Sequence, residues 1–184
     1  LVATPEGLPL YLSKENFSNG SIGTVDLSYP SIPIFLLYNV ELAKALMNPI
    51  LDYCSSDRWG KPFAAHDVGR YPLANGQNYG GDMPVEESGN MLIMAAAIVR
   101  AEGNAGFAMK YMPLFSKWAG YLEEYGLDPE NQLCTDDFAG HFAHNANLAG
   151  KAILGIAAYG YLADMAGDRE SGRTYMQKAR AYAA

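Results

Sequence analysis

Residues 85–102 read VEESGNMLIMAAAIVRAE, and within them 91–99, MLIMAAAIV, are nine apolar side chains in a row. A helix that is apolar nearly all round is one that neighbours cover from several sides. Nine residues fall far short of the roughly 20 that a membrane-spanning helix needs, so the run reads as a buried helix. Pro84 stands before it, and Glu86 and Glu87 fall in its first turn, where acids complement the helix macrodipole. Gly103-Asn104 ends it.

Towards the N-terminus, Ser56 to Pro84 is irregular, with five Gly and three Pro. Loops this long inside a compact domain are usually functional or disordered, and Trp59, Phe63, Tyr71 and Tyr79 argue for order. Before it, SIPIFLLYNVELAKALMNPILDYCS (31–55) has helical spacing. Pro33 suits a first turn, and Pro49 is expected to kink or divide the helix. Residues 1–30 hold Asn19-Gly20, Gly23, Pro5, Pro9 and Pro30 and read as an irregular lead-in.

Towards the C-terminus, Ala105 to Tyr125 is a further helix, with Pro113 as a kink and Gly126 as its end. After the loop around Asp128-Pro129 comes a long helix, Ala143 to Met165. Its Gly150, Gly155 and Gly160 suggest close helix-helix approach, at about 1 kcal/mol of propensity each. Gly167-Asp168 ends it, and Glu170 to Ala184 forms a polar last helix. The fold class is therefore all-α: about five helices in antiparallel hairpins, forming a single helical domain over 1–184 with hairpins from 31 onward. The start at Leu1 reads as an excised or processed piece of a larger chain.

The composition of the 184 residues, 49% apolar and 12% aromatic, excludes intrinsic disorder. A net charge of −7 argues against a nucleic-acid partner, because phosphate neutralisation needs a basic face, and no basic amphipathic stretch points to a membrane surface. Cys54 and Cys134 are too few for a disulfide framework or a thiolate metal site; their spacing leaves pairing open, beside two free, packed thiols. Asn16-Phe17-Ser18 and Asn19-Gly20-Ser21 match glycosylation sequons, a pattern with many false positives.

Three polar clusters carry all the histidines and the densest acids. They are His66-Asp67; Asp82 with Glu86 and Glu87; and Asp136, Asp137, His141, His144, Asn145 and Asn147. Two carboxylates across a cleft can serve as general acid and general base in hydrolysis of a glycoside or amide. Glu86 and Glu87 could instead only stabilise a helix start, and Asp136 or Asp137 could be a cap or turn anchor. His66-Asp67 could orient substrate or transfer a proton, or merely pin the loop. His141 and His144, spaced i, i+3 near Asp137, could hold a metal, but two histidines alone are a weak signal and no metal is expected. Trp59, Tyr71 and Tyr79 could form a sugar-stacking platform, although core packing is the commoner use of such rings.

FAAHDVGRYPLANGQNYGGDMPVEESGNMLIM and NQLCTDDFAGHFAHNANLAGKAILGIAAYGYLA, with GTVDLSYPSIPIFLLYN upstream, resemble the central region of the secreted glutaminase A family of fungi and Bacteroides-type bacteria. The resemblance implies a multi-domain protein whose helical part is similar to the six-hairpin toroid of many glycoside hydrolases. With about five helices, this chain would be about half of an (α/α)6 toroid. It also implies hydrolysis of L-glutamine to L-glutamate and ammonia, with a sugar or a glutamine-containing peptide as the alternative substrate. A non-catalytic helical scaffold is the reading from another class.

Motif by motif, the resemblance puts Glu87, Asp136, Asp137 and Asp67 among the catalytic carboxylates. His66, His141, Asn145, Glu86 and Tyr79 become substrate-binding residues. Either Glu87 or Asp137 would activate water, with His141 and Asn145 holding the amide or its oxyanion. No cofactor is implied, and the location is secreted or periplasmic. The expected partners are a small-molecule substrate, the remaining domains of the parent chain, and a second copy through exposed helical faces.

Overall fold

The structure is a computed structural model that describes residues 1–135 and 140–184. Among the described residues there are seven helices and one two-stranded ribbon, in which β1 (Val2–Ala3) pairs antiparallel with β2 (Pro9–Leu10). The helices are α1 (Val25–Tyr38), α2 (Val40–Cys54), α3 (Pro84–Glu102), the single turn α4 (Gly106–Met109), α5 (Met112–Tyr125), α6 (Ala146–Met165) and α7 (Arg169–Tyr182). None is long and apolar enough to cross a membrane.

The expected buried helix is α3, with Met91, Leu92, Met94, Ala95, Ile98 and Val99 all inaccessible to solvent. It touches α1, α2, α5 and α6. Pro84 opens it, and Gly103 closes it in the left-handed conformation that glycine adopts without strain (φ 69°).

Glycines let the next layer approach. A Cβ on Gly155 would lie 2.6 Å from Leu122 Cδ1 and 3.1 Å from the Gly89 Cα, so α6 runs against α3 nearly backbone to backbone. At Gly160 the same atom would meet the Met176 amide nitrogen at 3.0 Å, fixing α7 against α6. Gly150 faces open space, so the expectation of close approach holds for two of the three glycines.

These contacts also give directions. Residues 122 and 126 meet 155 and 152, so α5 and α6 are antiparallel. Residues 160 and 164 meet 176 and 172, so α6 and α7 form a hairpin. Gly89 meets Gly155 while Arg100 shares a groove with Tyr161, so α3 and α6 run parallel. Three hairpins result (α1/α2, α3/α5 and α6/α7), with α1, α3 and α6 in neighbouring positions and their N-terminal ends together.

Three boundaries differ from the sequence reading, each at a proline. Helix α1 starts at Val25 rather than Ser31, with Pro30 and Pro33 inside it. Burial of Val25 and Ile32 and the Val25 N–H bond to the His66 carbonyl outweigh the lost proline donors. The division between α1 and α2 falls at Asn39, whose extended backbone ends one helix and whose side chain accepts from the Glu41 N–H to start the next; Pro49 lies within α2. Pro113 opens α5 instead of kinking a longer helix, because α4 ends at Met109.

Candidate active site

The ends of α1 and α3 and the long loop bring four acids and a histidine into contact. Asp26 is in the first turn of α1, Glu86 and Glu87 in the first turn of α3, and His66-Asp67 in the loop that passes between them. Each helix presents a carboxylate at the end where its unpaired N–H groups favour negative charge.

His66 Nδ1 lies 2.9 Å from Asp67 Oδ2, and Nε2 lies 3.4 Å from Asp26 Oδ2. The Tyr79 ring stacks on the imidazole at 4.3 Å, which fixes its plane. Asp67 is inaccessible to solvent: Oδ1 accepts from the Gly69 and Asn78 N–H groups at 2.8 Å each, and Oδ2 also accepts from the Tyr79 N–H at 3.0 Å. Gln77 accepts from the His66 N–H and donates to Asp82, so residues 66–82 fold around their own side chains.

Glu87 is fully buried and accepts from the Asn90 amide at 3.2 Å through Oε2. Glu86 is also buried, and its Oε1 accepts from Lys151 Nζ at 2.9 Å and Thr135 Oγ1 at 2.7 Å. Thr135 reaches Asp26 Oδ1 as well, at 3.1 Å. Lys151, from α6, sits over the Tyr29 ring of α1 at 4.1 Å and donates to Asn90. One ammonium thus ties three helices together.

The charges perturb one another. Burial, then the negative charges of Asp26 and Glu86, hold the Glu87 carboxyl well above the usual range, against the Asn90 amide. For Asp26, burial pushes upward, but the hydrogen bond and charge of His66, with Glu87 and Thr135, bring it below its ordinary value. Burial disfavours the His66 imidazolium, yet the hydrogen bonds and charges of Asp26 and Asp67 raise it to about 9. One carboxylate oxygen of Asp26 and one of Glu87 lie within 4.8 Å of each other.

The structure thus brings together His66, Asp67, Tyr79, Glu86 and Glu87 from the sequence-derived set. Asp136 and Asp137 lie outside the described residues. His141 is exposed, and Asn145 caps α6 by accepting from the Asn147 and Leu148 N–H groups. His144 is exposed and pairs with Asp128. Trp59 is 7% exposed, with its indole N–H on the Phe63 carbonyl, and Tyr79 covers His66; of the three proposed platform rings only Tyr71 stands open, at 65%. Cys54 and Cys134 are both buried, and burial pushes the Cys54 thiol up to about 12.

Sequence reasoning missed Asp26, Asn90, Thr135 and Lys151. An acid two residues after Thr24 would mark Asp26 as a helix-start residue, but Pro30 and Pro33 hid that helix. Asn90 is one turn after Glu86 and Glu87, a spacing that could have flagged it.

The pattern of the glutaminase A six helical-hairpin domain matches residues 1–184. Glutaminase A of Aspergillus oryzae is 39% identical over 187 residues, covering 100% of this chain and 27% of that protein. A probable glutaminase of Arthroderma benhamiae is 33% identical over 209 residues, covering 82% of this chain and 24% of that protein. The chain spans about a quarter of the length of these curated relatives. Three hairpins in which α1, α3 and α6 bring their N-terminal ends to one acidic site, and a family pattern that runs the whole length, give one conclusion: the chain belongs to the glutaminase A six helical-hairpin domain family.

Proposed function

We propose that this chain carries a hydrolytic centre of glutaminase type, in which L-glutamine and water give L-glutamate and ammonia. The observation that carries the reading is the convergence of Asp26, His66 and Glu87 at the inner helix ends of a chain whose relatives are named glutaminases. In this reading the water oxygen bonds to the carboxamide carbon, the C–N bond breaks, and the nitrogen leaves with a proton from the water.

Asp26, 18% exposed where His66 and Glu87 are buried, accepts the water proton. Glu87 holds the other side of the reacting group, and the Thr135 hydroxyl, which donates to Glu86, stays with the carboxylates. Asp67 acts through His66 and is a positioning residue, because both its oxygens are engaged. Asp136 and Asp137 follow Thr135 in sequence and are the next carboxylates to substitute. A secreted or periplasmic location and contact with further domains of a longer protein belong to the same proposal.

The glycosidase alternative asks for two carboxyl groups about 5–5.5 Å apart for retention or about 6.5–9.5 Å for inversion. One carboxylate oxygen of Asp26 lies within 4.8 Å of one of Glu87, closer than either. The test is ammonia release from L-glutamine by the full-length protein and its Glu87→Gln variant. A loss of about 100-fold or more in the variant, with unchanged circular dichroism, is expected for a group at the reacting centre. No ammonia from the full-length protein, or full activity in the variant, would overturn the assignment, and reducing-sugar release would move the glycoside reading to first place.

A further inference from the structure

We propose that Asp26, His66 and Glu87 form a binding site for one divalent metal ion of the zinc type. One ligand atom from each residue lies within 4.8 Å of the other two. The inference builds on the same cluster as the hydrolase reading but does not need that reading to be true.

Four features of the geometry point this way. First, His66 Nε2 and Asp26 Oδ2 are 3.4 Å apart, long for a charge-assisted hydrogen bond, which runs about 2.7–2.9 Å. Two ligands held about 2.1 Å from a tetrahedral ion lie about 3.4 Å apart.

Second, Glu87 Oε1 is buried and finds no hydrogen-bond donor among the described residues. A buried carboxylate oxygen without a donor is costly, and a cation is the partner it lacks.

Third, the groups behind the ligands are in place. Asp67 accepts from His66 Nδ1–H, the carboxylate–imidazole pairing that turns Nε2 towards a metal. Thr135 Oγ1 lies 3.1 Å from Asp26 Oδ1, and Asn90 donates to Glu87 Oε2, so each ligand has a polar neighbour beside it. Fourth, the partial exposure of Asp26 leaves a way in and a place for water as a further ligand. An imidazole with two carboxylates selects zinc-like ions over magnesium, which prefers oxygen ligands throughout.

The test uses the full-length protein, stripped with a chelator and titrated with Zn2+ by calorimetry, with metal content read by mass spectrometry. One Zn2+ is expected to bind in a manner abolished or weakened at least about 10-fold by Asp26→Asn and by His66→Asn. Mg2+ at the same concentration is expected to leave the heat signal unchanged. Asp26 is partly exposed, so Asp26→Asn tests the site even if His66→Asn fails to fold. His144→Ala, at the exposed pair with Asp128, is expected to bind as the unsubstituted protein does.

Equal Zn2+ binding by the folded Asp26→Asn variant, or no Zn2+ bound by the unsubstituted protein, overturns the proposal. Ammonia release that survives in a metal-free protein unable to take up Zn2+ would sink the metal site and leave the hydrolase reading standing. Variant-sensitive Zn2+ binding without ammonia release would do the reverse.

Discussion

The α3–α6 pair and the loop from 56 to 83 lie side by side, yet they are held by opposite means. Between the helices, apolar side chains and missing side chains set the approach, with Lys151 adding polar ties to Glu86 and Asn90 at one end: Gly89 and Gly155 face each other, and Leu122 fills the space beside them. In the loop, polar side chains replace regular backbone pairing. Asp67 alone takes three backbone N–H groups, and Gln77 ties the His66 backbone to Asp82. The difference shows where precision for chemistry resides. Packing sets the positions of the helix ends, and the loop's hydrogen bonds set the orientation of the imidazole between them.

Four substitutions probe that contrast. Asp67→Ala removes a buried acceptor from the loop and is expected to have the largest effect, about 3–5 kcal/mol, as for a broken buried charge pair. Native-state hydrogen exchange should then show the Gly69, Asn78 and Tyr79 amides unprotected. Unchanged protection would mean the loop is held by its aromatic contacts instead.

In the helical frame, Gly155→Ala should lower stability by about 1–3 kcal/mol, since the Gly89 backbone must give way. Gly150→Ala, in open space on the same helix, should raise it by up to about 1 kcal/mol. Urea midpoints of the helical signal separate the two, and equal effects would deny that α6 is packed through its glycines. The smallest change is expected for Asn145→Ala, which frees the Asn147 and Leu148 N–H groups at the start of α6. It should cost about 1 kcal/mol in the same measurement.

The same contrast explains what could be read from the sequence. The frame was legible because burial writes itself into composition: MLIMAAAIV announced a helix covered from several sides, and Gly155 and Gly160 announced close neighbours. The boundaries at Val25, Asn39 and Met112 were not, because Pro30, Pro33, Pro49 and Pro113 were read by local preference where tertiary burial decided.

At the site, His66, Asp67, Glu86 and Glu87 stood out as polar residues in apolar surroundings. Asp26 and Lys151 did not, since an acid or a lysine near a helix start looks like ordinary surface charge until a partner from elsewhere in the chain is seen. The role of Asp67 also needed coordinates. Its three backbone donors lie 2, 11 and 12 residues away, a pattern that no motif encodes.

Thr135 reaches Asp26 across 109 residues of chain, and Lys151 reaches Glu86 across 65. Closing such distances costs chain entropy that only an already assembled frame can offset. The long-range part of the cluster is therefore a late product of folding: helices can form, and hairpins can dock, before Thr135 meets Asp26 or Lys151 meets Glu86. A chain caught part-way would hold most of its helical content and the local pairs of the site without the ties that join its helices.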